Sequence, residues 1–201
     1  MKITKIVQQE QRKNRYSIFV DGKYSFSLSE SALLDSKLVS GQELTKDELK
    51  GWKKLSVDDK IYGNALRYAV MRPRSEWEME TYLKRKEASP SLMKKILNKL
   101  SDIDMLSDAA FARAYVTNRR LLRPTSKRKL QQELRAKRVS DEVIEQALSE
   151  DETDELQTLR QLTAKKRQQS KYKNDDLRLM QYLARQGFSY NDIKQIVQSD
   201  N

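Results

Sequence analysis

Six cations crowd one short stretch of this chain: Lys127, Arg128, Lys129, Arg135, Lys137 and Arg138, with Arg119, Arg120 and Arg123 just ahead of them. A guanidinium presents a planar fork of donors that matches phosphate or carboxylate two bonds at a time, and an ammonium supplies a mobile point charge. The chemistry on offer is recognition of a polyanion. Between Arg113 and Arg138 ten basic residues face a single acid, Glu133, in a chain of net charge +11. Arg72, Arg74, Lys84, Arg85 and Lys86 occupy related places one repeat earlier. A local excess of one sign attracts phosphate backbones or acidic protein surfaces. A solvated helix face is the plain alternative, and the imbalance within one stretch favours the polyanion. Nothing in the pattern reads base edges, so sequence-specific readout is not indicated. Trp77, Tyr82 and Tyr115 could stack on bases, although aromatics at helical spacing beside Leu and Met are more often core.

Catalytic chemistry finds little support. The chain has no cysteine and no histidine. That removes thiol nucleophiles, disulfides, zinc sites built from Cys and His, and serine–histidine triads. Five scattered glycines cannot build a phosphate-cradling loop or a dinucleotide fingerprint. Asp102, Asp104 and Asp108 are the best candidates for a metal-dependent nuclease, which needs carboxylates converging on paired ions. Capping and helix-dipole effects at predicted helix ends account for these acids more simply. We expect no catalytic residue, no metal and no cofactor, and a protein that is not an enzyme. No apolar run reaches the ~18 residues of a membrane span, and the N-terminus lacks the apolar core of a signal peptide. A soluble cytoplasmic monomer with no membrane partner is the expectation.

The elements that position the cations come from a repeat. Arg72-Pro-Arg-Ser-Glu-Trp-Glu-Met-Glu-Thr-Tyr-Leu83 returns as Arg123-Pro-Thr-Ser-Lys-Arg-Lys-Leu-Gln-Gln-Glu-Leu134, and more faintly as Tyr172 to Leu183. Each copy precedes a second helical pattern: Leu92/Met93/Ile96/Leu97, Val143/Ile144/Ala147/Leu148, and Asp192/Ile193/Ile196/Val197. A period near 50 signals tandem helical units that share cores with their neighbours. Caps recur at matched offsets, with Ser75, Ser126 and Asp175 before the middle helices and Ser89, Ser140 and Ser189 before the last ones. Gly187 falls where a helix end wants a left-handed residue. We read the fold as mainly α: three three-helix repeats, over residues 59–106, 107–150 and 151–201, form an elongated array. The acidic run Glu150 to Glu155 is either a first helical turn or a hinge.

Residues 1–58 read as a small β-hairpin and helix segment. Asp21-Gly22 turns between alternating runs. A two-residue turn pairs Ile18 with Ser25, whereas a three-residue loop pairs Ile18 with Phe26 and gathers Tyr16, Ile18, Val20, Tyr24, Phe26 and Leu28 on one face. The second register keeps the apolar set out of water. Glu30 to Leu34 reads as a short helical piece, Thr45 with Glu48 forms a capping box for a helix to Leu55, Gly51 and Gly41 interrupt the segment, and a separate helix runs from Asp59 to Met71.

The chain resembles the RecX family of recombination regulators. The likeness rests on Arg72-Pro-Arg-Ser75 with Glu78 and Leu83, on Leu106-Ser-Asp-Ala-Ala-Phe-Ala112 with Tyr115-Val116 and Arg119, on Gln132-Glu-Leu134 with Lys137, and on Leu183-Ala-Arg-Gln-Gly-Phe188. Residues 1–58 look like the extension on such proteins from Gram-positive bacteria. The resemblance implies a modulator of the RecA recombinase, usually inhibitory. It would bind along the groove of the RecA filament on single-stranded DNA, and have some affinity for single-stranded and double-stranded DNA directly. The fourteen cations named above would form that surface. Arg138 and Ala88 stand where the family often has glycine after the middle helix. The alternative is a non-specific DNA-binding protein that acts without RecA.

Overall fold

The alternating residues at the N-terminus pair as a three-stranded antiparallel sheet in the order β1 (Ile3–Gln8), β2 (Arg15–Val20), β3 (Lys23–Ser29). The structure is a computed structural model that describes residues 1–199; the last two residues of the expected third repeat lie outside them. Two compact units divide the chain. One comprises residues 1–72 and 79–105, the other residues 73–78 and 106–199.

In the first unit, Asp21 and Gly22 take left-handed φ angles of 48° and 79° in a two-residue turn that pairs Val20 with Lys23. A bulge at Ser25 then brings Ile18 opposite Phe26. Neither hairpin reading was complete: the turn is the short one, and the bulge restores the apolar register. The bulge also overturns one expectation. Tyr24 pairs with Phe19 on the face away from the core and is 59% exposed, so it does not share a face with Phe26. The core joins Ile3, Ile18, Val20, Phe26 and Leu28 to Leu38 and Leu44. Helix α1 (Glu30–Ser36) follows, with Ser29 as its cap.

Helix α2 runs unbroken from Lys46 to Val70, starting with the expected Thr45–Glu48 capping box. The two helices expected at 45–55 and 59–71 are one, and the 58/59 boundary falls inside it. A helical glycine costs about 1 kcal/mol but stops a helix only with a left-handed turn, and Gly51 keeps helical geometry with open space around it. The helix covers the free edge of β3. Ser56 donates to the Ser27 carbonyl (2.6 Å), and Asp59 accepts from the Ser29 amide (2.9 Å) and pairs with buried Arg15 (3.0 Å). Helices α3 (Glu76–Arg85) and α4 (Pro90–Asp102) complete the first three-helix group, with Met79, Leu83, Ile96 and Leu100 buried.

In the second unit, α5 (Asp108–Leu122), α6 (Lys127–Arg135) and α7 (Asp141–Ser149) close around Phe111, Val116, Leu130, Leu134 and Ile144. Then α8 (Glu155–Arg167), the single turn α9 (Ser170–Lys173), α10 (Asp176–Arg185) and α11 (Tyr190–Ser199) close around Leu159, Leu179, Leu183, Ile193 and Val197. The fold is mainly helical with three three-helix groups; α1 falls on the short helical piece expected from Glu30, and α9 is an addition that the apolar period does not reveal.

Each middle helix ends on a left-handed residue: Glu87 (φ 57°), Arg138 (φ 59°) and Gly187 (φ 87°). The position matching Arg138 is thus Glu87, one residue before the expected Ala88. Ala88 and its counterparts Val139 and Phe188 are buried instead. The acidic run starts a helix, since Asp154 caps α8 and Glu155 lies in its first turn.

Candidate polyanion-binding surface

Helix α6 carries the densest cations because its sequence separates two jobs. Leu130 and Leu134 are fully buried, and the residues between them are Gln and Glu. Ser126 accepts from the Lys129 amide (3.1 Å) and fixes the helix start. Three cations in a first helical turn oppose the helix dipole by a few tenths of a kcal/mol each. The fold offsets this. The Lys127 amide donates to the Glu155 carboxylate (3.2 Å), and the Ser126 amide donates to the Gln186 carbonyl (3.1 Å). An acid and a helix C-terminal carbonyl therefore sit where the side chains put positive charge. One repeat earlier the Glu76 amide donates to Asp108 in the same way (2.8 Å). In both joints the first acid of one repeat's leading helix holds the middle helix of the repeat before it.

Several of the expected site residues are engaged within the fold. Arg119 grips Glu133 with two bonds (2.8 and 2.6 Å), and the Tyr115 hydroxyl donates to the same carboxylate (3.0 Å). Burial, then the hydrogen bond and charge of Glu133, push the Tyr115 hydroxyl up to about 12, against the opposing Arg119 charge. Arg120 pairs with Asp151 (2.6 Å) and donates to the Thr125 carbonyl; the two side chains are 9% and 7% exposed. Burial pushes the Asp151 carboxyl up, but the bonds and charge of Arg120, with those from Thr153, outweigh it and hold the group below its ordinary value. Lys137 reaches Glu78 (2.7 Å). Arg135 pairs with Asp141 (2.7 Å) in solvent, which raises its pKa through that bond and charge.

The rest divide between surface and interior. In the second unit Arg123, Arg128 and Arg138 are exposed and make no ion pair among the described residues, while Lys127 and Lys129 are half-buried. Arg138 lies over the Trp77 ring at 6.0 Å, as does Lys137. Arg74 is buried. In the first unit Arg72, Lys84, Arg85 and Lys86 are exposed; Lys84 approaches Glu80 at 3.5 Å and Lys86 lies over Tyr82, 5.5 Å from its centroid. Tyr82 stacks on Tyr68 at 4.3 Å, which accounts for it as packing. Sequence reasoning passed over Leu121 and Leu122, which stand 75% and 77% exposed beside Arg123. The apolar spacing of α5 carries Leu122 toward the buried face, so its exposure leaves no signal in the sequence.

The acids considered for metal chemistry do not converge. Asp108 turns to the Glu76 amide, and burial holds its carboxyl above the ordinary value despite that bond. Asp104 is exposed with a left-handed backbone, and Asp102 ends α4, where its charge opposes the dipole, contrary to the capping explanation. Among the described residues no group of three or more acids could hold a metal ion, and no helix is long and apolar enough to cross a membrane.

Comparison with known proteins agrees with this organisation. Residues 1–45 match the regulatory protein RecX N-terminal domain, residues 62–100 the first RecX three-helix domain, and residues 107–148 the second. The regulatory protein RecX of Bacillus subtilis strain 168 is 34% identical over 195 residues, covering 95% of this chain and 74% of that protein. The same-named protein of Listeria welshimeri is 36% identical over 150 residues, covering 75% of this chain but only 56% of its own length. The chain thus spans little more than half of several such relatives. A crystal structure of regulatory protein RecX superposes with a TM-score of 0.72 at 27% identity, covering 100% of this chain and 99% of that one. RecX from Lactobacillus salivarius gives 0.58 at 27% identity over 71% of this chain and 96% of that one. With the N-terminal domain and the first two three-helix domains matched in order, and a relative 34% identical over 95% of the chain, the chain belongs to the RecX family of regulatory proteins.

Proposed function

We propose that this protein regulates RecA, in the inhibitory direction, by binding along the RecA–single-stranded DNA filament through its helical cations. The observation that carries the reading is the pair of exposed arginines Arg123 and Arg128, which make no ion pair among the described residues, with exposed Leu121 and Leu122 next to Arg123 in the chain. A groove lined by acidic protein and phosphate accepts both. The protein acts in the cytoplasm as a monomer, without catalysis or cofactor.

The test is RecA ATPase on single-stranded DNA with this protein titrated in, beside binding measured on RecA–DNA and on naked DNA at one salt concentration. Inhibition with tighter binding to the filament supports the reading. The net charge of +11 favours a second reading, DNA binding independent of RecA. That reading requires equal affinity for naked and RecA-coated DNA, and a steep loss with salt that follows the number of phosphates contacted.

A further inference from the structure

The two-residue turn sets Tyr24 opposite Phe19, on the open face of the N-terminal sheet, and the bulge at Ser25 then returns Phe26 to the core. Bulges commonly re-aim a side chain; this one turns Phe26 inward and leaves Tyr24, an equally large aromatic, outside. Across the three strands Lys5, Phe19 and Tyr24 form one row, because Phe19 pairs with both of the others. The Tyr24 ring meets Phe19 edge-on, with centroids 6.1 Å apart at 81°. An edge-on contact leaves ring face uncovered, and Tyr24 is 59% exposed. Lys23 pairs with Val20 and belongs to the other face, whereas Lys5 is exposed in the row of Phe19 and Tyr24. The next row on the same face is Val7, Ser17 and Ser27, without an acid. Residues 1–29 contain six basic side chains and two acidic ones, Glu10 and Asp21. Asp21 accepts from the Lys2 amide at the hairpin turn (2.7 Å).

From this we infer that the open face of the N-terminal sheet is a stacking platform for unpaired bases of single-stranded nucleic acid, with Tyr24 and Phe19 receiving the bases and Lys5 a phosphate. An exposed aromatic on a sheet beside a lysine suits that ligand: every base has a π face to stack, and the strand supplies negative charge at close intervals. A duplex hides its bases and offers nothing to Tyr24. A purely electrostatic contact needs the lysine but not the outward aromatic. The cross-strand pair also steadies the hairpin, which explains why Phe19 and Tyr24 touch but not why Tyr24 keeps more than half of its surface in water. The inference deepens the proposed function, because it adds a second DNA contact to the one carried by Arg123 and Arg128.

The experiment uses the full chain, a short oligothymidylate carrying one 5-iodouracil, and an abasic oligomer of equal length. Tyr24→Ala and Phe19→Leu are compared with wild type and with Arg123→Glu/Arg128→Glu, each verified as folded by circular dichroism. Wild type is expected to prefer the base-bearing oligomer, to lose about tenfold in affinity with Tyr24→Ala, and to photocross-link at Tyr24 or Phe19. Affinity for the abasic oligomer should hardly change. The inference is overturned if Tyr24→Ala binds both oligomers like wild type and cross-links map elsewhere. It is also overturned if Tyr24→Ala loses only RecA filaments, which would make the face a protein contact. The helical surface is judged separately: if only the arginine reversals leave filament binding intact, that reading fails while the platform stands.

Discussion

Gly187 seats the left-handed end of α10 directly against Ser126, the residue that caps α6. A methyl group at Gly187 would overlap Ser126 Oγ and come within 3.0 Å of Lys129 Cβ and 3.2 Å of Lys129 N. Its φ of +87° strains any L side chain as well. Gly187→Ala should therefore destabilise the protein by about 2–4 kcal/mol, combining backbone strain with overpacking. Denaturant unfolding measures this, and a loss below about 0.5 kcal/mol would mean the joint yields freely.

The matching positions Glu87 and Arg138 hold left-handed backbones without glycine. Glu87→Gly should stabilise by roughly 0.5–1 kcal/mol, since relief of backbone strain exceeds the entropy lost on ordering glycine. Arg138→Gly should give a similar gain while weakening filament binding. A rise in melting temperature with unchanged binding would remove Arg138 from the proposed surface.

The buried Arg120–Asp151 pair sets a sign for acid sensitivity. A carboxyl held below its ordinary value contributes stability above the unfolded value near 4, and loses it as pH falls through the lower folded value. Asp151→Asn should cost about 3 kcal/mol near neutral pH, because Arg120 stays buried without a countercharge. The gap to wild type should narrow below about pH 4. Unfolding curves at neutral and acid pH decide it, and a gap that is constant with pH would contradict the assignment.

Reversing all of Lys127, Arg128 and Lys129 would place new acids beside Glu155 and the Gly187 joint, so it confounds binding with folding. Arg123→Glu/Arg128→Glu avoids this, as both side chains are exposed. The double variant should retain wild-type stability within about 0.5 kcal/mol. It should lose ~1 to 3 kcal/mol of filament affinity for each contact desolvated in the complex. Equal affinity in titrations of both proteins would return these arginines to solvent.

Helices and caps were legible because they depend on neighbours in sequence: Ser126 before Leu130, Ser89 before Pro90, Thr45 with Glu48. What escaped depends on distant partners. Arg120 looks like any other surface arginine until Asp151, 31 residues away, is brought to it. Glu133, the lone acid of a basic stretch, proved to be the hub for Arg119 and Tyr115 rather than a gap in the charge. Gly51 suggests a break because glycine punctuates chains on average, but its surroundings impose no turn. The Ser25 bulge was hidden since it satisfies both candidate registers at once, one at the turn and the other in the core.

The joints between repeats use peptide N–H groups at positions 76 and 127 as donors, to Asp108 and Glu155. A donor supplied by the main chain is the same whichever side chain the position carries. Glutamate stands at one and lysine at the other, and the same attachment forms in both. Assembly of the repeats and the chemistry they display are thereby separable: the outward residues change sign from one repeat to the next without any alteration of the way the pieces are joined.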